Sequence, residues 1–347
     1  MRSGARTAAL LLAFVTMLPA GLRAETITLR LHHFLPLQAT IPANAIAPWI
    51  ASIEAAAEGR LRIEHYPSMQ LGGAPPALYD QAREGVVDLA WTLLGYTPGR
   101  FPRAEVFELP FLGTSGEATS RAFHEFVETH AMADFVGIRP LVVHTHGPGV
   151  LHVRGDPVRR LEDLEDLTVR GPTRLTTTLL GALGATAIGM PVPAVPEALA
   201  RGVIDGVAVP WEVTPSLRIA ELVDGHTEFT GPHGLYTATF VLAMNEASYA
   251  RLPDDLRAVI DAHSGIEMAA TFGRAMDEND LVGRDIALTL GNPVVVLDAD
   301  ETARWKAAAQ TVVADWIAEA ETEGLDGQGL VEAARSLVAA HDRVVGE

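Results

Sequence analysis

The chain has 347 residues, of which 48% are hydrophobic, 44 are acidic, 26 are basic and none is cysteine. The formal net charge of −18 argues against nucleic acid and anionic membrane surfaces as partners, because both require a basic face. It leaves room for a small anionic ligand, since exposed charges are screened beyond about 8–10 Å and a buried arginine acts within that distance. The length predicts two domains, and without disulfides their stability must come from core burial.

The first 24 residues are predicted to be a secretory signal peptide. Arg2 and Arg6 give a basic start, residues 8–18 form an apolar run too short to span a bilayer, and a small-residue cleavage site ends at Ala24. No later segment has the pattern of a membrane helix. We therefore expect the mature chain to be exported to the periplasm.

The residues after this signal alternate between strand and helix patterns. Strand patterns over 26–31, 61–66 and 86–93 are separated by helical patterns over 42–58 and 77–84. This order predicts a parallel sheet. A helix is predicted over 116–135 and a further strand over 139–144.

Arg170 directly follows the end of a predicted strand, and a helix is predicted to open near Thr173. A strand end beside a helix start is where open α/β domains bind ligands. An arginine at that point offers a planar fork of donors that matches a carboxylate. Position alone leaves a second interpretation open, in which Arg170 is a surface or helix-capping residue.

A short internal repeat predicts two similar lobes. The sequence GVVDLAW at 85–91 resembles GVIDGVAVPW at 202–211, and each follows a short helix and leads through an apolar strand to a tryptophan. Their strand ends would then face each other across a cleft. A strand is predicted over 235–244, and the helical pattern over 254–290 predicts one long helix, or two joined near Gly265, passing between the lobes. A strand over 294–297 and helices over 300–323 and 328–345 complete the chain.

The sequence contains no recognisable catalytic motif. His144 and His146 have a strand spacing that metalloenzymes use, but no HExxH motif or acidic partner at a helical offset accompanies them. Histidines at strand ends more often form hydrogen bonds in a pocket or a turn. Nucleophile-elbow, phosphate-loop and dinucleotide motifs are also missing. We therefore predict no catalytic residues, no metal site and no cofactor.

Several motifs, in their order along the chain, resemble the substrate-binding proteins of tripartite ATP-independent periplasmic (TRAP) transporters, of the DctP type. The motifs are QLGG (70–73), YTPGRFP (96–102), ELPF (108–111), LEDLEDLTVRGP (161–172), GMPVP (189–193), LARGVIDG (199–206) and MNEASYARLP (244–253). The resemblance implies an α/β protein of two lobes with a ligand cleft between them and a long helix spanning both. Such a protein captures an organic acid and delivers it to a membrane permease.

The resemblance also implies lobe boundaries and a ligand-binding residue. Lobe I is expected to comprise 25–145 and 235–270, and lobe II 146–234 and 271–347. An arginine after the family's "DLxGLKxR" strand clamps the ligand carboxylate, and Arg170 matches it.

Departures from the family pattern restrict the class of ligand that we expect. Val150 stands where sialic-acid-binding members have a second arginine, and Val209 and Ala194 stand where asparagine and glutamate are frequent. The resemblance also implies that Phe34 and Leu93 occupy positions that face the ligand. A sugar acid would leave hydroxyls unpaired here, at about 1–3 kcal/mol each. We therefore predict a monocarboxylate with an apolar or aromatic body, bound by Arg170. The remaining residues predicted to bind it are Phe34, Trp91, Leu93, Tyr96, His146, Val192, Val209 and Trp211.

Two alternatives stay open at this point. One is a receptor for a keto acid or a dicarboxylate, with His146 or Arg174 as a second cation. The other is a secreted enzyme whose metal is held by His32, His33 and His146. The predicted partners are a small carboxylate and the permease subunits, without nucleic acid.

Overall fold

The computed structural model describes residues 26–346, so the predicted signal peptide lies outside the described residues. The strands are β1 (Ile27–His33), β2 (Leu61–Tyr66), β3 (Leu89–Leu93), β4 (Ile138–Thr145), β5 (Val150–Val153), β6 (Thr168–Gly171), β7 (Thr186–Gly189), β8 (Gly206–Val209), β9 (Gly225–Phe229), β10 (Thr239–Asn245) and β11 (Val294–Leu297). They form one sheet of five strands and one of six, and each sheet is the centre of a lobe.

Helices cover both sheets. They are α1 (Ala47–Ala56), α2 (Leu78–Arg83), α3 (Gly116–Phe126), α4 (Arg174–Ala182), α5 (Val195–Ala200), α6 (Thr214–Leu217), α7 (Glu246–Ala250), α8 (Asp254–Ala262), α9 (Ile266–Leu290), α10 (Ala299–Thr322) and α11 (Gly327–Val345). The helix predicted over 116–135 is α-helical only as far as Phe126 and continues in short π and 3₁₀ turns to Asp134. None of the helices within residues 26–346 is long and apolar enough to span a bilayer.

The sheet of lobe I has the strand order β2-β1-β3-β10-β4. β1 is parallel to both β2 and β3, as the strand and helix alternation predicts, because each connection crosses over through a helix. β10 comes from the second half of the chain and lies antiparallel between β3 and β4. The sheet of lobe I is therefore built from two separate segments of the chain.

The sheet of lobe II has the order β11-β9-β5-β8-β6-β7. β6 lies parallel to β7 on one side and to β8 on the other. β5 lies antiparallel to β8 and β9, and β11 is parallel to β9. β6 is the second strand from one edge of the sheet, and its C-terminal end, with Arg170, faces lobe I.

Two segments cross between the sheets, one from β4 to β5 and one from β9 to β10. They are joined by a pair of backbone hydrogen bonds, from Gly149 N to Tyr236 O and from Leu235 N to Gly149 O, both 2.9 Å long. A Cβ atom at Gly149 would lie 2.4 Å from the Tyr236 ring, so only glycine allows this approach. The paired crossovers are where a movement of one lobe against the other would be accommodated.

The long helix α9 is anchored to both lobes. The helical pattern over 254–290 is divided at Gly265, whose φ of 90° interrupts the helix, and α9 then runs for 25 residues, about 37 Å. Asp277 accepts hydrogen bonds from the amides of Gly116 (2.6 Å) and Glu117 (2.9 Å) at the start of α3 in lobe I. Asp280 accepts one from the amide of Glu212 in lobe II, at 2.7 Å.

The C-terminal helix lies on a different lobe from the one we expected. Helix α10 packs on α4 in lobe II, but α11 packs on α3 of lobe I, where the His341 ring lies 2.7 Å from a carboxylate oxygen of Glu125. Its buried stripe includes Leu330, Ala334 and Val338. The periodicity of an amphipathic helix specifies which of its faces is buried but not which lobe covers that face, so the boundary expected over 271–347 was wrong for α11.

Candidate functional site

A small cavity lies between the two lobes. Both lobes and the crossover segments line it, and its wall is mostly apolar. Eight of the nine predicted site residues line this cavity, namely Phe34, Trp91, Leu93, Tyr96, His146, Arg170, Val192 and Val209. Segments far apart in the chain therefore meet at one place, and each of these eight side chains is less than 9% exposed.

The guanidinium of Arg170 is held by the two strands that flank β6. Its Nε donates to the carbonyl oxygen of Met190, after β7, at 2.9 Å, and its Nη1 donates to that of Ala208, in β8, at 3.2 Å. Its Nη2 is buried and has no hydrogen-bond partner among the described residues. The side chain is only 1% exposed, which rules out the interpretation of Arg170 as a surface residue.

The charge of Arg170 is not balanced by the protein. None of the ion pairs among the described residues involves it, and the groups that act on its charge are the hydroxyls of Tyr96 and Tyr236. Burial lowers the pKa of Arg170, but a guanidinium stays protonated in proteins. A buried cation without a partner is costly, and an anionic group bound beside Nη2 would remove that cost.

The Tyr96 hydroxyl lies beside the guanidinium and links the two lobes. Its oxygen accepts a hydrogen bond from the amide of Val192, across the cavity, at 2.9 Å. The hydrogen of the hydroxyl is therefore free to be donated to a bound anion. Burial raises the pKa of Tyr96, so this hydrogen is retained at neutral pH.

Aromatic rings form the lobe I wall of the cavity. Phe34 stacks on Trp91, with ring centroids 4.9 Å apart and planes inclined by 12°, and Phe240 stacks on Trp91 at 5.2 Å and 4°. The Trp91 indole donates to Nε2 of His144 at 2.9 Å, which fixes the ring plane. Tyr96 meets Phe34 edge to face at 5.5 Å. These planar surfaces suit a flat apolar body.

His146 lines the cavity, but both of its ring nitrogens have partners. Nδ1 lies 2.6 Å from the carbonyl oxygen of Gly147, and Nε2 accepts from the amide of Ala238 at 3.0 Å. This pairing fixes a neutral tautomer, and burial lowers the pKa of His146 to about 4. The ring therefore joins the two crossover segments and supplies no cation at neutral pH.

Trp211 is the predicted site residue that does not line the cavity. The backbone enters a 3₁₀ turn at this residue, directly after Pro210. The ring packs against His152 and His226, each at 4.7 Å, and the indole donates to Glu228 at 2.9 Å. The prediction that Trp211 stacks on the ligand was wrong, because the turn directs the ring into the interior of lobe II.

Two of the residues that depart from the family pattern, Val150 and Ala194, also do not line the cavity. Val150 is buried beside Trp211, and Ala194 is exposed, whereas Phe34, Leu93 and Val209 line the cavity. The apolar character of the wall therefore rests on the last three and on the crossover residues.

The residues that sequence reasoning missed come from the crossover into β10 and from the turn after β8. Tyr236 and Ala238 line the cavity because the crossover passes along it before β10 begins at Thr239, and Phe240 lines it from within β10. Glu212 also lines it, one residue beyond Trp211.

The other groups considered for chemistry lie apart from the cavity or are already paired. Arg174 forms ion pairs with Glu105, at 2.6 Å, and with Glu319, at 2.7 Å, and does not line the cavity. The Nε2 atoms of His33 and His65 lie 2.6 Å apart. In the part of the chain that the structure describes, no three histidine, aspartate or glutamate side chains are grouped to hold a metal ion.

Two α/β lobes, joined by paired crossovers and enclosing a buried cavity, define the class of bilobal solute-binding proteins. Residues 33–320 match the family model of bacterial extracellular solute-binding proteins, family 7 (DctP). The chain belongs to this family, whose members are receptors for solutes.

Solved structures of TRAP solute-binding proteins agree with this assignment. One from Rhodoferax ferrireducens T118, in complex with copurified benzoate, is 46% identical, with a TM-score of 0.90, and the match covers 92% of this chain and 100% of that one. A marine metagenome protein specific for aromatic acid ligands, with bound 3-hydroxybenzoate, is 44% identical with a TM-score of 0.90, and the match covers 92% of this chain and 99% of that one. A protein from Bordetella bronchiseptica, with bound (R)- and (S)-mandelate, is 28% identical with a TM-score of 0.83, and the match covers 90% of this chain and 99% of that one.

Proposed function

We propose that this protein captures an aromatic monocarboxylate in the periplasm and delivers it to a TRAP-type permease. The observation that carries the proposal is the buried Nη2 of Arg170, a charged donor without a partner among the described residues, in a cavity with aromatic walls. The ligand carboxylate accepts from this nitrogen and from the Tyr96 hydroxyl. Charge-assisted hydrogen bonds of this kind are about twice as strong as neutral ones.

The aromatic wall accounts for the body of the ligand. A ring placed against Phe34 and Trp91 buries about 150 Å² of apolar surface, which corresponds to about 4 kcal/mol. Val192 and Val209 close the cavity from lobe II and offer no side-chain hydrogen bond. A polyhydroxylated acid would therefore leave most of its hydroxyls unpaired.

A monocarboxylate fits better than a dicarboxylate. His146 is neutral and fully hydrogen-bonded, and Arg174 is paired with two glutamates away from the cavity. A second carboxylate would then meet no free cation among the described residues that line the cavity. The solved relatives that hold benzoate, 3-hydroxybenzoate and mandelate support the same ligand class.

Closure of the lobes completes the site. Tyr96 and Val192 are hydrogen-bonded across the cavity, and the Thr40 hydroxyl of lobe I donates to the backbone oxygen of Glu212 at 2.9 Å. Exclusion of water by this closure strengthens the attraction between Arg170 and the carboxylate. The closed, loaded form is the one that we propose the permease recognises.

The test is isothermal titration calorimetry of the purified mature protein with benzoate, mandelate, succinate and glucuronate, and with neutral benzamide as the control for charge. We expect the two aromatic acids to bind with micromolar or tighter dissociation constants, and benzamide to bind at least about 30-fold more weakly than benzoate. Tight binding of succinate without binding of either aromatic acid would overturn the proposal.

A further inference from the structure

One polar group in the cavity has no role in the binding scheme described so far. The polar side chains that line the cavity are those of Tyr96, His146, Arg170, Glu212 and Tyr236. Tyr96 and Arg170 face the ligand carboxylate, His146 is hydrogen-bonded at both nitrogens, and the Tyr236 hydroxyl donates to the carbonyl oxygen of Ala208 at 3.0 Å. The carboxyl of Glu212 remains.

The backbone around Glu212 is firmly held, but its carboxyl is not. The amide donates to Asp280 on α9 at 2.7 Å, and the residue is only 5% exposed. The Thr40 hydroxyl lies beside the carboxyl but donates its hydrogen to the backbone oxygen of Glu212, at 2.9 Å. An ionised carboxyl has about four acceptor sites, so one neighbouring hydroxyl leaves most of them free. A rigid backbone thus presents a carboxyl with free acceptor sites to the cavity.

Glu212 and Arg170 do not neutralise each other. They form no ion pair, and burial raises the pKa of Glu212 to about 7, whereas an adjacent guanidinium would lower it. The cavity lining therefore includes two separate polar groups, a guanidinium with an unpaired donor and a carboxyl with free acceptor sites. Most of the other lining residues are apolar, among them Val209, Val213 and Phe34.

A carboxyl that lines an apolar cavity loses water from its free acceptor sites when a ligand binds, which is costly unless the ligand supplies a donor. We propose that Glu212 determines specificity by accepting a hydrogen bond from a hydroxyl group on the ligand ring, away from the carboxylate. This inference rests on the proposed function and deepens it. The preferred ligand is then a hydroxylated aromatic monocarboxylate rather than the unsubstituted acid.

Both protonation states of Glu212 can take this role. The carboxylate accepts a hydrogen bond strongly, and the neutral acid accepts one through its carbonyl oxygen. An unsubstituted ring would exclude water from the carboxyl without donating a hydrogen bond in its place. A site built to bind a hydroxyl discriminates against the analogue that lacks it for this reason.

The experiment compares the affinities for benzoate, 3-hydroxybenzoate and 4-hydroxybenzoate by calorimetry in the wild type, in Glu212→Leu and in Glu212→Gln. We expect the wild type to bind one of the hydroxylated acids roughly tenfold or more tightly than benzoate. Glu212→Leu should remove this preference while it keeps or improves benzoate binding. Glu212→Gln, which retains an acceptor oxygen, should keep part of the preference.

The control is Glu108→Gln. Glu108 is 1% exposed, burial also raises its pKa to about 7, and it does not line the cavity. This variant should leave the ratio of the hydroxybenzoate and benzoate affinities unchanged. If Glu212→Leu does not fold, as judged by its thermal unfolding curve, Glu212→Ala replaces it.

The outcomes separate this inference from the proposed function. Tight benzoate binding with no preference for a hydroxylated acid, or a preference that survives Glu212→Leu, overturns the role of Glu212 and leaves the aromatic acid receptor intact. Failure of all three acids to bind the wild type overturns the proposed function itself.

Discussion

The two faces of the cavity differ in what they present to a ligand. Lobe I presents rings, with Phe34, Trp91 and Tyr96 close together. Lobe II presents the guanidinium of Arg170 between the small apolar side chains of Val192 and Val209. One lobe thus supplies apolar area and the other supplies charge. A ligand that carries a ring and a carboxylate satisfies both faces only when the lobes are closed.

The same difference appears in the two copies of the internal repeat. In lobe I, Trp91 lies within β3 and lines the cavity. In lobe II, β8 ends at Val209, Pro210 follows, and Trp211 opens a 3₁₀ turn that directs its ring away from the cavity. Similar sequences therefore place similar side chains differently, because the end of a strand decides where the next residue points.

The largest expected effect comes from removing the charge of the lobe II face. Arg170→Ala should weaken the binding of an aromatic acid by roughly 30-fold to several thousandfold, because truncation of one partner of a buried charge pair costs about 2–5 kcal/mol. Arg170→Lys is the matched variant, since it keeps the charge and loses the planar fork that Met190 and Ala208 hold. It should bind more weakly than the wild type and more tightly than Arg170→Ala. A calorimetric affinity of Arg170→Ala within threefold of the wild type would contradict the clamp.

A smaller effect is expected on the lobe I face, where the repeat offers a matched pair of variants. Trp91 and Trp211 each donate one indole hydrogen bond of 2.9 Å, to His144 and to Glu228. Trp91→Phe and Trp211→Phe should each lower the free energy of unfolding by about 1–3 kcal/mol, because a buried acceptor loses its donor. Denaturant titration measures this loss.

Only Trp91→Phe should also change ligand affinity, by about three- to tenfold, since aromatic stacking contributes about 0.5–1.5 kcal/mol. Calorimetry with benzoate separates the two variants. Equal losses of affinity in both would mean that Trp211 acts on the ligand in spite of its position in the interior of lobe II.

The sequence predicted part of the site from local pattern and part from its resemblance to the family. The strand end beside a helix start left two interpretations of Arg170 open, and the resemblance selected the ligand-binding one. The resemblance also assigned Phe34, directly after β1, and Leu93, at the end of β3, to the ligand. The misplacement of Trp211 arises from a turn whose direction its residues do not specify.

Other features depend on contacts between distant parts of the chain. Tyr236 lines the cavity because one crossover packs on Gly149 of the other, and α11 packs on lobe I because α3 offers it a complementary face. Glu212 is notable only once its burial and its free acceptor sites are known. Periodicity and motif order contain none of this information.

Both lobes bury neutral histidines. The pH dependence of stability therefore tests a feature that the two lobes share, and its expected effect is the smallest. In lobe II, Asn292 donates to His226 at 3.3 Å, the Nδ1 atoms of His226 and His152 share a hydrogen at 2.7 Å, and His152 donates to the carbonyl oxygen of Val209 at 3.2 Å. Three of the four ring nitrogens are paired when both rings are neutral, and Nε2 of His226 faces the Asn292 amide, whose shorter hydrogen bonds go to the carbonyl oxygens of Ala220 and Val223. A further proton would place two N–H groups against each other.

The sign of the effect follows from these protonation states. Burial lowers the pKa of His226 from 6.5 to about 4, so below pH 6.5 the unfolded chain binds a proton that the native protein does not. The stability contributed by the neutral ring is complete above pH 6.5 and is lost as the pH falls towards 4. His226→Asn should therefore reduce the slope of unfolding free energy against pH in this window by up to about 1.4 kcal/mol per pH unit.

The measurement must compare variants rather than interpret the wild-type curve alone. Burial raises the pKa of Glu108 and of Glu212 to about 7, so their contribution has the opposite sign and is lost as the pH rises from 4.5 to 7. Subtracting the wild-type curve removes this background, and His130→Asn, at an exposed position, controls for the substitution itself. If the slope of unfolding free energy against pH is the same in His226→Asn as in the wild type, the native pair takes up protons as readily as the unfolded chain. The hydrogen bonds of the pair predict the opposite, because a proton added at Nε2 of His226 would place an N–H group against the N–H₂ group of Asn292.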